Sequence, residues 1–349
     1  MNHRFNRGEW SEIYVACELI GSGEILKSGD GMIKIVAVKS VRGNFEAKIC
    51  DDGFARLNGG TQKIKKADFL RASEIILRGI LSYSGGNGSF EIPEVNNFLI
   101  QSGILKVRAG NKTRSDLCLE GFFTGNNLEE KSFSIKSFFG SNPTILNVSK
   151  KSGIKFMLSD NPGEETVKKL MGIKSPKELV REIIAGGLKL VYSGFVEKVF
   201  EENLKFIDSS FPETFAYSLV VYYSGTGGDI TDIINSMSAG DQRTAACYKT
   251  DIEDKYLKDR FSRLLLDVTS GMTTAVEWNG NYDVRGGYII VTDSQIACVI
   301  QDDIQALKDY LLKHSYFDTP SMARYDFGFL YRLENKYYVN LIAQIRLRP

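Results

Sequence analysis

Two alternating segments of this chain carry residues that could do chemistry together. Asp116 stands near the start of one, Ser115 to Glu120, and Ser134-Ile135-Lys136 lies in the other, Phe133 to Phe138. Alternate side chains of a strand share a face, so Ser134 and Lys136 point to one side and Ile135 to the core. The turn-rich Gly125-Asn126-Asn127 between the segments predicts an antiparallel hairpin, whose register can bring Asp116 to the side of Lys136. A carboxylate and an ammonium group so placed suit metal-dependent phosphodiester hydrolysis. The carboxylate holds Mg2+, while the lysine orients the nucleophile or stabilises developing negative charge. On its own, Ser-x-Lys on a strand is a weak signal, since a lysine at a sheet edge is ordinarily just solvated.

A hard cation wants several oxygen ligands, so a second carboxylate is expected. The first predicted helix, residues 8 to 20, offers Glu9 and Glu12. Its buried face is drawn by Trp10, Ile13 and Cys17. At about 100° per residue Glu9 lies roughly 70° from the centre of that face and Glu12 roughly 130°, so Glu9 is better placed to look inward. Asn6-x-x-Glu9 also fits a capping box, which gives Glu9 a purely structural reading.

The elements that must position these residues follow from periodicity. Met32 to Val38 and Phe45 to Cys50 alternate and are expected to pair. Phe69 to Leu81 has helical spacing, and Pro93 to Ile100 forms a short helix closed by Gly103. A strand at Ile154 to Leu158 is expected to complete a small mixed sheet with the Asp116 hairpin. From Asn161 to about Gly271 the chain reads as mostly helical, with Ser175-Pro176-Lys177-Glu178 as a strong helix start. Strands return from Val276 around a helix near Asp303 to His314. They end in a hairpin, Arg324 to Leu333 and Tyr337 to Leu347, turning at Glu334-Asn335. The expected organisation is α+β, with a catalytic core over 1–160, a helical region over 161–275 and a strand-rich region, with a role in recognition, over 276–349.

Composition narrows the chemistry. With 349 residues, 43% hydrophobic and 25% charged, the chain can bury a sizeable core and is not of the disordered class. No apolar run approaches the roughly 20 residues that span a bilayer, and the N-terminus has no apolar leader, so a cytoplasmic location is expected. Cys17, Cys50, Cys118, Cys247 and Cys298 are scattered and read as reduced thiols. His3 and His314 alone leave little room for a histidine-based site. The net charge of +1 neither indicates nor excludes a nucleic-acid partner, but local basic clusters exist, at Lys63, Lys65 and Lys66 and at Lys150, Lys151 and Lys155. Tyr223 to Asp229, YSGTGGD, resembles a nucleotide-binding glycine loop. The residues before it have helical spacing where such a loop needs a strand, so it reads as a turn between helices. A nucleotide- or S-adenosylmethionine-binding enzyme is the alternative it would support.

Four ordered blocks resemble one family. Gly8 to Tyr14, GEWSEIY, is one. Phe133 to Ser137, FSIKS, followed by Gly140 and Pro143 to Asn147, is a second. Gly286 to Val291, with Trp278-Asn279-Gly280 upstream, is a third. Arg324 to Gly328 and Gln344-Ile345-Arg346 make the fourth. Together they are similar to the HpaII family of type II restriction endonucleases. The resemblance implies cleavage of double-stranded DNA at the palindrome CCGG, with Mg2+ as cofactor. It also implies a PD-(D/E)XK nuclease core, a mixed sheet flanked by helices, here with a helical insertion and C-terminal β-hairpins. In that core the hairpin supplies Asp116 and Lys136, and the early helix supplies Glu9 or Glu12, with Asp116 and Glu9 as the metal ligands. Ser134 stands where the general motif has a second carboxylate, and Ser115 stands where proline is usual. Arg324, Arg332, Gln344 and Arg346, expected on the C-terminal hairpin, are candidates to contact DNA, as are Lys150 and Lys151, since arginine is the commonest reader of guanine. A palindromic target suits a homodimer, and a cognate DNA methyltransferase is the expected functional partner. A DNA-binding protein without catalysis, in which Lys136 merely contacts phosphate, is the other alternative.

Overall fold

The structure is a computed structural model that describes residues 3–27, 31–41, 45–86, 88–107, 115–239, 253–300, 304–342 and 344–348. They gather into two compact units, Met1–Pro143 with Tyr282–Leu307 and Thr144–Asn281 with Lys308–Pro349. The blocks drawn at 160 and 275 cut across these units, because the strands after residue 276 are shared between them. Cys247 and Asp303 lie outside the described residues.

In the first unit, helix α1 (Arg7–Ser22) opens with the expected capping box. The Asn6 side chain accepts from Glu9 N at 3.0 Å, and the Glu9 carboxylate accepts from Asn6 N at 2.9 Å. Together these bonds satisfy backbone donors that the first helical turn leaves open. Strands β1 (Glu24–Lys27), β2 (Met32–Lys39), β3 (Glu46–Ile49), β4 (Phe54–Leu57) and β5 (Gln62–Lys65) follow, then helices α2 (Lys66–Ser82) and α3 (Pro93–Ser102). The hairpin of β6 (Leu117–Gly121) and β7 (Glu129–Ser137) comes next. Strands β8 (Gly287–Val291) and β9 (Ile296–Ile300) join from far along the chain. These nine strands form one mixed sheet in the order β1-β9-β8-β7-β6-β2-β3-β4-β5, and β1 pairs with β2 as well. The β2–β3 pairing and the β6–β7 hairpin are as the alternation predicts. Trp10, Ile13, Cys17 and Ile20 of α1 share one core with Leu117, Leu119, Phe133 and Ile289 of the sheet. Burying each such side chain stabilises the unit by roughly 1.5–3 kcal/mol.

Ile154–Leu158 does not join this sheet, which corrects the expectation of a third strand there. It belongs to the second unit, between Leu190–Phe195 and Lys336–Leu341 in a four-stranded antiparallel sheet. Every second residue of Ile154–Leu158 is buried, a pattern that any half-buried sheet satisfies, so alternation alone could not choose its partner. The described residues between 161 and 271 are mostly helical, but Leu190–Phe195 is a strand among them. The helix Phe211–Ser224 is buried on nearly all sides, packing Phe211 and Phe215 against Phe261.

The C-terminal hairpin is shorter than expected. Leu330–Leu333 pairs with Lys336–Leu341 around Glu334 and Asn335, both at positive φ, as a two-residue turn of this hand requires. Gln344–Leu347 leaves that hairpin and instead lies between Thr144–Leu146 and Ser315–Asp318 in a separate three-stranded sheet. Arg324 sits in a short helix, Met322–Tyr325. Of the four residues expected on the hairpin, only Arg332 is there. The glycine-containing stretch after Tyr223 does join two helices, Phe211–Ser224 and Ile230–Ala239, as expected.

Candidate active site

The β6–β7 register aligns Leu117 with Phe133 and Cys118 with Ser132. One residue before β6, Asp116 N donates to Phe133 O at 2.8 Å and extends the ladder. The Asp116 carboxylate thereby meets the next turn of β7. Its Oδ2 accepts from Ser134 Oγ at 3.0 Å and from Ile135 N at 2.7 Å. Lys136 Nζ donates to Ser134 Oγ at 2.9 Å. The Ser134 hydroxyl therefore accepts from the lysine and donates to the carboxylate. At 3% exposure it is a buried bridge, although it lies on the side of the strand that alternation turns away from the core. Burial makes this arrangement specific, because a buried hydroxyl left without partners would cost about 1–3 kcal/mol.

Strand β8 lies parallel to β7, with Tyr288 opposite Ser134 and Ile290 opposite Lys136. Lys136 Nζ lies 5.3 Å from the centre of the Tyr288 ring. Sequence reasoning found the Gly286–Val291 block but not this tyrosine. The available signal was an aromatic residue inside an otherwise aliphatic strand.

Helix α1 meets the end of β7 through Ser11, whose Oγ lies 2.8 Å from Ser137 Oγ, and through Tyr14, whose ring packs edge-on against Phe139. Glu9 serves the cap of α1, and Glu12 follows the Ser11 contact by one residue. Asp116, Ser134 and Lys136 are thus brought together. Among the described residues, no group of three or more His, Cys, Asp or Glu side chains is arranged to hold a metal ion.

A second charged cluster lies on the same sheet. Lys39 of β2 reaches Glu130 at 2.6 Å, Glu120 at 2.7 Å and Glu46 at 3.7 Å. Burial alone would lower the pKa of Lys39, but the hydrogen bonds to Glu120 and Glu130 outweigh it and hold the ammonium form well above its ordinary range. The bond from Lys39 is the largest influence on Glu130 and lowers its pKa. Between the cluster and Asp116, burial and then the charge of Glu130 push the Cys118 thiol up to about 12. Cys118 is therefore protonated at neutral pH and unsuited to act as a nucleophile.

The other candidates occur in the second unit. Arg346 and Gln344 both engage Asp318 Oδ2, at 2.7 and 2.8 Å. Arg332 donates to Asn335 at 2.7 Å, and the Arg324 guanidinium lies over the Tyr325 ring. Lys150 and Lys151 form a short helical turn, with Lys151 paired to Glu197 at 3.0 Å.

Comparison with known proteins supplies the class. A family model described as HpaII restriction endonuclease matches residues 6–347, and the chain belongs to that family. It is a type II site-specific deoxyribonuclease. In particular, the chain is 29% identical over 356 aligned residues to the type II restriction enzyme HpaII of Haemophilus parainfluenzae, across 98% of both chains. No solved structure matches the chain. Among the described residues, no helix is long and apolar enough to cross a membrane.

Proposed function

We propose that this endonuclease hydrolyses double-stranded DNA at CCGG with Mg2+, using Asp116, Ser134 and Lys136 on a PD-(D/E)XK-type core. The observation that carries this reading is the continuous chain from Lys136 Nζ through Ser134 Oγ to Asp116 Oδ2. Asp116 would hold the metal, with Glu9 or Glu12 of α1 as the second carboxylate. Bound there, Mg2+ would supply charge neutralisation at the phosphate and activation of water.

The protein's own contribution is positioning. Two donors, Ser134 Oγ and Ile135 N, hold Oδ2 of Asp116, which fixes the plane of the carboxylate. Ser134 also fixes the Lys136 ammonium close to that carboxylate. A cation placed there in advance stabilises negative charge as it develops on the phosphate, with little reorganisation during the reaction. Ser134 therefore positions the other two groups and does not replace the missing acid.

Arg324, Arg332, Gln344, Arg346, Lys150 and Lys151 are the proposed DNA contacts. The CCGG target follows from the family resemblance and is supported by full-length similarity to HpaII. Its two-fold symmetry suits a homodimer, and a cognate methyltransferase would protect cytoplasmic host DNA.

Lys136→Ala tests the site. It is expected to lower cleavage by at least about 100-fold while DNA binding, read by gel shift, is retained. Wild-type cleavage of plasmid DNA by this variant would refute the assignment. Digestion of a sequenced plasmid with Mg2+, repeated with EDTA, tests the rest. Fragment ends outside CCGG, or cutting that persists in EDTA, would overturn the target or the metal requirement. Mg2+ titrations of Glu9→Gln and Glu12→Gln identify the second ligand as the variant with the raised metal requirement.

A further inference from the structure

We propose that Tyr288 is a positioning residue for Lys136, its ring holding the ammonium group over the Asp116–Ser134 pair. The inference rests on the role of Lys136 proposed above. Lysine carries its charge on a flexible four-carbon stem, so each added restraint narrows the positions open to the ammonium. Ser134 supplies a hydrogen bond from the lysine's own strand, at 2.9 Å. Tyr288 supplies a restraint from the neighbouring strand. Parallel register places it beside Ser134, and its ring centre is 5.3 Å from Nζ, within the range of a cation–π contact.

The ring is well suited to this because it is itself fixed. Tyr288 is 1% exposed, and every residue of β8 is buried. The strand is pinned to β7 just before Tyr288, where Gly286 N donates to Ser132 O at 2.7 Å. Ser132 Oγ donates to Asp283 O at 3.0 Å and accepts from Arg285 N at 3.1 Å. A Cβ at Gly286 would lie 2.7 Å from the Phe133 ring and 2.8 Å from Ser132 O, so only glycine permits this approach. A ring held to β7 in this way transmits the position of the strand to the lysine.

The experiment compares Tyr288→Phe, Tyr288→Leu and a series of fluorinated phenylalanines at 288, in single-turnover cleavage of a CCGG duplex with Mg2+ across pH. Phe keeps the aromatic face and should cleave within about twofold of wild type. Leu should lower the single-turnover cleavage rate about tenfold with the affinity for the duplex unchanged. Its alkaline limb should shift to lower pH, because the ring no longer favours the charged lysine. Fluorination weakens the negative face of the ring with little change of shape, so the rate should fall stepwise with fluorine content. That series keeps the proposal testable if the Leu variant does not fold. A flat fluorination series, or a folded Leu variant with wild-type rate and pH profile, would overturn it. Lys136→Ala separates the two readings. If Lys136→Ala is inactive and the Tyr288 series is flat, only the positioning role fails. If Lys136→Ala cuts normally, the active-site reading fails with it.

Discussion

Lys39 and Lys136 stand on one sheet in different surroundings. Lys39 is surrounded by Glu46, Glu120 and Glu130, whose carboxylates outnumber its single charge. Lys136 is held by a serine hydroxyl and an aromatic face. Both lysines are restrained: direct carboxylate contacts neutralise the charge of Lys39, and at Lys136 a hydroxyl and a ring act on the orientation of the ammonium. The first arrangement welds β2, β3, β6 and β7 together. In the mechanism proposed above, the second directs a cation toward a substrate phosphate.

Exchanging each lysine for methionine gives the sharpest test. Lys136→Met should abolish detectable cleavage, a loss of at least about 100-fold, with its melting temperature near that of wild type. Lys39→Met should do the reverse and lower stability by about 1 kcal/mol, a value discounted for partial exposure of the cluster, while folded enzyme cleaves normally. If Lys39→Met abolished cleavage in folded protein, the two lysines would not have separate roles.

Gly286→Ala should have an intermediate effect, because the added Cβ must push β8 away from β7. Overpacking of this kind costs about 1–3 kcal/mol. Cleavage should fall further than stability alone explains, since Tyr288 moves with the strand. Thermal melts and single-turnover rates measured together check this. A fully active, equally stable Ala variant would show that the strand spacing does not bear on Lys136.

The smallest effect is in pH dependence. The folded pKa of Glu130 is depressed, so its pairing with Lys39 contributes stability above its unfolded value of 4.5 and loses it as pH falls through the folded pKa. Lys39 is raised, so its contribution holds below 10.5 and is lost only as pH rises through a still higher folded pKa. The melting-temperature gap between wild type and Lys39→Met should therefore be fullest near neutrality and narrow below about pH 4.5. A gap unchanged at pH 3 would show that the ion pairs contribute nothing.

Much of the geometry of the candidate site was legible because its parts are local in sequence. Ser134 and Lys136 share a strand face by alternation, and the short loop between β6 and β7 limits the registers open to Asp116. The cap of α1 was equally legible, since Asn6 and Glu9 are three residues apart. The pairing of Ile154–Leu158 was not, nor was the departure of Gln344–Leu347 from the C-terminal hairpin. In both places more than one sheet offered a compatible edge to the same short alternating run.

By itself, the sequence determined the hairpin, the capped helix and the family, since local turns, alternation and ordered motifs carry them. Only the tertiary structure decided that Ser134 is a buried bridge, that Tyr288 underlies Lys136, and that Lys39 is enclosed by glutamates. Each depends on strands brought together from distant parts of the chain. Such pairings are selected by the packing of whole faces, and no spacing within a single segment specifies them.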